Sequence, residues 1–194
     1  MSEQDSGLRS RLIEVGVEMV AREGVQSLSL REIARRAGVS HGAPRRHFPT
    51  HVELLSAIAR QGFADLTAEV TETLTRGPAD PRAQIRALGR AYLDFALTRR
   101  GMFALMFRHD LLRSDRLGLR ATSLPLFGTL VDLVTRARPH SDAAPAAVAG
   151  ALWANLHGIA QLWEWGSLQL AAGTDDVEPL LAAALDAHLG PETR

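Results

Sequence analysis

The chain has neither cysteine nor lysine among its 194 residues, and it has a single tyrosine. Without cysteine there is no disulfide framework, no thiolate metal ligand and no cysteine nucleophile, and the chain suits a reducing compartment. Without lysine, every permanently basic side chain is an arginine, the residue that pairs two-pronged with guanine edges and phosphates. The motifs of common enzyme chemistries are also missing: no glycine-rich phosphate loop, no HExxH pair, no nucleophile elbow and no cluster of paired carboxylates. His41, His47 and His51 fall across two predicted helices at a spacing that suits no metal, so neither metal nor cofactor is expected. The opening stretch, Met1 to Gly7, is polar and acidic and lacks the basic and apolar regions of a secretory signal, which makes the cytoplasm the expected location. Ala143 to Trp163 carries no Asp, Glu, Lys or Arg over a length that could cross a bilayer. Pro145, Asn155, His157 and Gln161 would be costly there, so the expectation is a helix buried between protein layers and no membrane partner.

What is present is a chain that is 46% hydrophobic, enough to bury a core, with a formal net charge of zero. The zero hides an uneven distribution. Between Arg31 and Arg60 six arginines (31, 35, 36, 45, 46 and 60) face only Glu32 and Glu53, while from Pro139 onward Arg194 is the only base against seven acids. A basic front on an acidic body can steer one face toward DNA.

Apolar residues recur at helical spacing nearly throughout, with no sustained two-residue alternation, so the expected fold is all-α with about nine helices. A first helix carries Leu12, Ile13, Gly16, Met19 and Val20 and stops at Gly24. Ser29-Leu30-Arg31-Glu32 reads as a capping box opening a second helix that ends at Gly38. Ser40 is the expected cap of a short third helix reaching Phe48, with Pro44 awkwardly at its fourth position. A second capping box, Thr50 to Glu53, opens a long fourth helix that runs until the break at Arg76 to Pro81. The fifth helix should run from Pro81 to Arg99-Arg100-Gly101, followed by a short apolar helix at Met102 to Phe107 and another from about Pro125 to Arg136. The last two are expected at about Asp142 to Leu168 and Asp175 to Leu189. The domain boundary is placed within the fourth helix: 1–55 for a three-helix N-terminal domain and 56–194 for a larger helical domain.

Ala37-Gly38-Val39-Ser40 has the length of a helix-turn-helix turn, with Val39 expected to plug the angle between the helices. In such a motif the next helix enters the major groove, so Ser40, His41, Gly42, Ala43, Arg45, Arg46 and His47 are candidate DNA contacts. Ser29 and the N-terminal amides of the second helix are candidates for phosphate, and Arg36 is a further candidate DNA contact.

Leu28 to Ile58, LSLREIARRAGVSHGAPRRHFPTHVELLSAI, resembles the signature of TetR-family regulators. The resemblance covers roughly the first 60 residues and implies an all-α homodimer that binds double-stranded operator DNA, acts as a repressor and is released by a small-molecule effector. It departs from the family pattern at Arg45, where a tyrosine is usual, and at His51, where a lysine is common; His51 is kept as a DNA contact. Trp153 to Gly158 resembles the tryptophan-histidine-glycine motif of one C-terminal subclass. Gly150, Ala154 and Gly158 recur every four residues and would let another backbone approach, which suits the dimer interface that the family builds from its last long helices. The family encloses a largely apolar cavity among helices four to seven, which makes Phe63, Leu66, Tyr92, Phe95, Met106, Phe107, Phe127 and Trp163 the candidate ligand-binding wall. Two rival readings are a helical interaction protein that has lost DNA binding, with Pro44 and His51 as its signs, and a helical enzyme.

Overall fold

The computed structural model describes residues 3–138 and 142–191, with side chains from Gly7 onward. The described residues form no strand. The helices are α1 (Glu3–Glu23), α2 (Leu30–Arg36), α3 (Pro44–His47), α4 (His51–Arg76), α5 (Pro81–Thr98), α6 (Arg100–Met106), α7 (His109–Ser114), α8 (Leu119–Ala137), α9 (Pro145–Glu164), α10 (Ser167–Ala172) and α11 (Glu178–Leu189), with 3-10 turns at Val25–Ser27 and Arg116–Gly118. The all-α expectation therefore holds, with more and shorter helices than the nine expected.

The differences have local causes. Arg99-Arg100-Gly101 does not close α5; the helix ends at Thr98, and Arg100 and Gly101 begin α6. Charge and glycine mark a helix end, but they do not tell whether another helix follows at once. Pro125 lies inside α8 instead of starting it, and the helix begins at Leu119, where Asp115 accepts a hydrogen bond from the Arg120 N–H at 2.8 Å. The stretch expected as one helix from Asp142 to Leu168 is α9 and α10, separated at Gly166 in a left-handed conformation at φ 73°. Arg194 lies outside the described residues.

The chain falls into two compact units: residues up to Asp65 with Arg99–Ser123, and Leu66–Thr98 with the chain from Leu124 onward. In the first, Leu12, Met19 and Val20 form the buried stripe of α1, and α4 is buried on all sides from Leu54 to Ala59. Three close approaches hold the unit, each through a glycine. A Cβ on Gly16 would lie 2.3 Å from Ile58 Cδ1, one on Gly62 would lie 2.6 Å from Met106 Sδ, and one on Gly101 would lie 2.4 Å from the Val20 carbonyl oxygen. Phe63 and Phe107 meet edge to face at 5.5 Å beside this packing.

In the second unit, α5, α9 and α11 pack around Ile85, Leu88, Leu152, Leu156, Leu181 and Leu185. Gly89 admits Leu181, whose Cδ1 would stand 2.9 Å from an added Cβ. Arg82 pairs with Asp186, and Arg86 and Arg90 share Glu178, tying the ends of α5 and α11 at the rim. The 116–137 stretch has the length and apolar composition of a membrane span, with 22% of that window buried. It carries Arg116, Arg120, Asp132 and Arg136 and packs Leu130, Leu133 and Val134 inside the second unit.

Two glycine substitutions should have opposite signs. Gly101→Val puts a branched side chain against a backbone carbonyl that cannot swing away, and should destabilise by about 1–3 kcal/mol. Gly128→Ala on α8, where an added Cβ meets nothing within 4 Å, should stabilise by roughly 0.5–1 kcal/mol through helix propensity. Urea unfolding of both variants checks this; equal shifts in one direction would contradict the packing.

Candidate nucleic-acid interface

The N-terminal unit presents two short helices across a turn. Ser29 caps α2 by accepting the Glu32 N–H at 3.2 Å. After Arg36 the chain closes with the Ala37 N–H donating to the Ile33 carbonyl at 2.8 Å and the Val39 N–H donating to the Ala34 carbonyl at 3.0 Å. The second bond, which reaches back past Gly38, needs the left-handed φ of 68° there, which explains glycine at this turn. Val39 is half-buried, in keeping with a plug between helices. Contrary to the expectation that no nucleophile elbow is present, Gly38-Val39-Ser40-His41-Gly42 spell its pattern G-x-S-x-G, but they join two helices instead of following a strand, so the strand-to-helix turn that the motif needs is not there.

The start of the third helix differs from the sequence expectation. Ser40 does not cap it with its side chain; its carbonyl accepts the Ala43 N–H at 3.0 Å, and His41 to Ala43 form a turn ahead of α3. Pro44 is the first helical residue, where its missing N–H would have had no partner in any case. The proline that looked awkward starts the helix. Buried Pro44 and fully buried Phe48 fix α3 to the unit, while His41, Gly42, Arg45 and Arg46 are exposed. The Thr50–Glu53 box is reciprocal: the Glu53 N–H donates to Thr50 Oγ1 at 3.2 Å, and the Thr50 N–H donates to Glu53 Oε2 at 3.1 Å.

The first box is not reciprocal, because Glu32 is held by arginines. Arg35 donates to it from Nε and Nη2, at 2.9 and 2.6 Å, and Arg36 donates from Nε at 2.7 Å while also gripping Glu23. These bonds, Arg35 first, hold the Glu32 carboxyl down at about 2. Arg36, a DNA-contact candidate by sequence, is thus occupied by two carboxylates. Arg45 and Arg46 have no ion-pair partner among the described residues. His51 Nε2 donates to the Leu28 carbonyl at 2.9 Å, so its ring braces the start of α4 against the segment before α2.

The candidate ligand wall divides between the units. Phe63, Met106 and Phe107 belong to the first; Phe63 and Met106 are buried, and Phe107 is half-buried. Leu66, Tyr92, Phe95, Phe127 and Trp163 belong to the second. There the Trp153 N–H donates to the Tyr92 hydroxyl at 3.2 Å, and that hydroxyl donates to His157 Nδ1 at 2.8 Å. Burial pushes the Tyr92 hydroxyl up and holds His157 below its ordinary value, so both stay neutral near pH 7. Phe127 flanks Trp153 at 6.1 Å. Sequence spacing brought Trp153 and His157 to one side of a helix, but nothing local announced that Tyr92, a candidate wall residue 65 positions before His157, is their hydrogen-bond partner.

Residues 12–58 match the model of bacterial regulatory proteins of the tetR family, and residues 85–188, more than half of the chain, match the tetracyclin repressor-like C-terminal domain. The chain belongs to the TetR family. The solved structure of a protein with unknown function from Rhodococcus sp. RHA1 is 32% identical, covering 94% of this chain and 93% of that one at a TM-score of 0.81. The transcriptional activator FasR of Mycolicibacterium smegmatis is 30% identical over 102 residues, which are 53% of this chain and 46% of FasR. The chain thus spans a little under half the length of the curated relatives it matches. Thermus thermophilus FadR, a TetR-family repressor solved with lauroyl-CoA, is 24% identical with a TM-score of 0.67, covering 96% of each chain, and shares the fold.

The Glu32 network of this TetR-family head sets a pH signature. A carboxyl depressed from 4.5 to about 2 contributes its pairing above pH 4.5 and loses it only as pH falls toward 2. Carboxyl carbon shifts should show Glu32 titrating near pH 2 and shifting back toward 4.5 in Arg35→Ala/Arg36→Ala. A midpoint near 4.5 in the unmodified protein would contradict the pairing.

Proposed function

We propose that this protein is a cytoplasmic, sequence-specific DNA-binding regulator of transcription, not an enzyme, that acts as a homodimer and answers to a small molecule. The observation that carries the DNA reading is the recognition segment itself. Pro44 and Phe48 anchor α3, and Arg45 and Arg46 stand exposed without a carboxylate partner among the described residues. Arginines in that state are ready to make two-pronged bonds to guanine or to phosphate. Residues 1–55 are the DNA-binding part and 56–194 the effector and dimerisation part, with α4 supplying residues to both compact units and carrying the effector's influence.

The dimer reading rests on α9. Added Cβ atoms on Gly150 and Gly158 would meet nothing within 4 Å, so none of the described residues packs on them. Ala154 is exposed on that side, as are Leu162 at 39% and Trp165 at 69%. A face of small and apolar residues without charge fits a second copy of itself. The effector reading rests on the second unit, where buried Tyr92 with Trp153, His157 and Phe127 offers aromatic surface and an aligned hydrogen-bond chain. FadR's acyl-CoA supports the effector reading, and the likeness of Trp153 to Gly158 to the tryptophan-histidine-glycine motif supports placing the chain in that subclass. The family includes an activator and a repressor, so repression is the expected sign but is not built into the head.

Fluorescence anisotropy on an operator duplex tests the reading. Arg45→Ala and Arg46→Ala should each cost about 1–3 kcal/mol if the arginine reads a base, and the stoichiometry should be two chains per site. Equal affinity of the double variant and the unmodified protein would overturn it.

A further inference from the structure

We infer that the phosphate clamp flanking the recognition helix is supplied by α1, through Arg9 and Arg11, and not by the arginine pair that ends α2. The inference rests on the DNA-binding reading and adds residues to its interface. The C-terminal end of α1 is committed to packing, since the Val20 carbonyl fills the space left by the missing Cβ of Gly101 on α6. Its middle is committed too, with Leu12 fully buried and Gly16 against Ile58 and Ile33. The N-terminal half extends away from α6, toward the two ends of the recognition segment.

At one end, Arg11 Nη2 stands 3.8 Å from where a Cβ of Gly38 would be, beside the turn between α2 and α3. At the other, the Arg9 guanidinium lies 5.2 Å from the ring centroid of Phe48, the residue that closes α3. Stacking on a ring face restrains a guanidinium while leaving its N–H edge for an anion. No carboxylate among the described side chains pairs with Arg9 or Arg11. Arg35 and Arg36, by contrast, share Glu32, and Arg36 also holds Glu23, so a phosphate there would have to displace a carboxylate already in place. Two unpaired arginines bracketing α3 form an anion-binding pair on each protomer, and the polyanion that brackets a recognition helix is the duplex backbone.

The test is the salt dependence of duplex binding by the full chain. Because a bound dimer carries each arginine twice, Arg11→Gln and Arg9→Gln should each weaken operator and unrelated duplexes alike and reduce the slope of log K against log salt by about 2, the pair by about 4. Arg36→Gln should leave the slope unchanged. Arg9→Lys keeps the charge and should keep the slope, which separates phosphate contact from the covering of Phe48, and melting temperatures report any loss of fold. An unchanged slope in Arg11→Gln and in the double variant, or a lost slope in Arg36→Gln, overturns the inference. Failure of the unmodified chain to bind any duplex overturns the DNA-binding reading and this inference with it.

Discussion

The geometry of the N-terminal unit depends on how closely other helices can approach α1. Two glycines set that distance: Gly16 on α1 itself, which receives Ile58 of α4, and Gly101 on α6, which receives the Val20 carbonyl. In both places a methyl group would have to share space with an atom less than 2.5 Å away. With these contacts made, Ile33, Ala34 and Ala37 of the α2 region are buried against the same core, and Phe48 closes α3 at zero exposure. Packing of this density tolerates little adjustment, so the recognition segment is presented in one orientation.

On that rigid head the distribution of ion pairs decides function more than the total charge does. The chain is formally neutral, and counting arginines would rank Arg35 and Arg36 with Arg45 and Arg46. Glu23 and Glu32 separate them by occupying the first two. Arg36 serves the architecture by fastening the end of α2 to Glu23 at the end of α1, and Arg35 is spent on Glu32 within α2, while Arg45 and Arg46 remain for an outside anion. Exposed pairs of this kind contribute little stability one by one, so their main consequence is to define which cations are left over.

Much of the head was legible in the sequence because its signals are local. Ser29, Thr50 and Glu53 cap as their spacing implies, and Gly38 takes the left-handed conformation that the turn demands. Pro44 misled because a proline's effect depends on where the helix starts, and the first helical turn began four residues after Ser40. The role of Arg36 was not legible, since its partner Glu23 is 13 residues away on another helix. In the second unit the split of α9 from α10 turned on Gly166, and the Tyr92–His157 bond joins helices far apart in sequence. Long-range pairings of polar groups leave no periodic trace, whereas caps and turns do.

In the proposed function a symmetric pair of these heads reads DNA by sequence. Selection of genomic fragments by the purified full chain, followed by footprinting, measures this directly. The expected footprint is a near-palindrome with half-sites about 34–36 Å apart, one turn of the duplex or a related spacing. Protection without sequence preference, or of a single unpaired half-site, would contradict it.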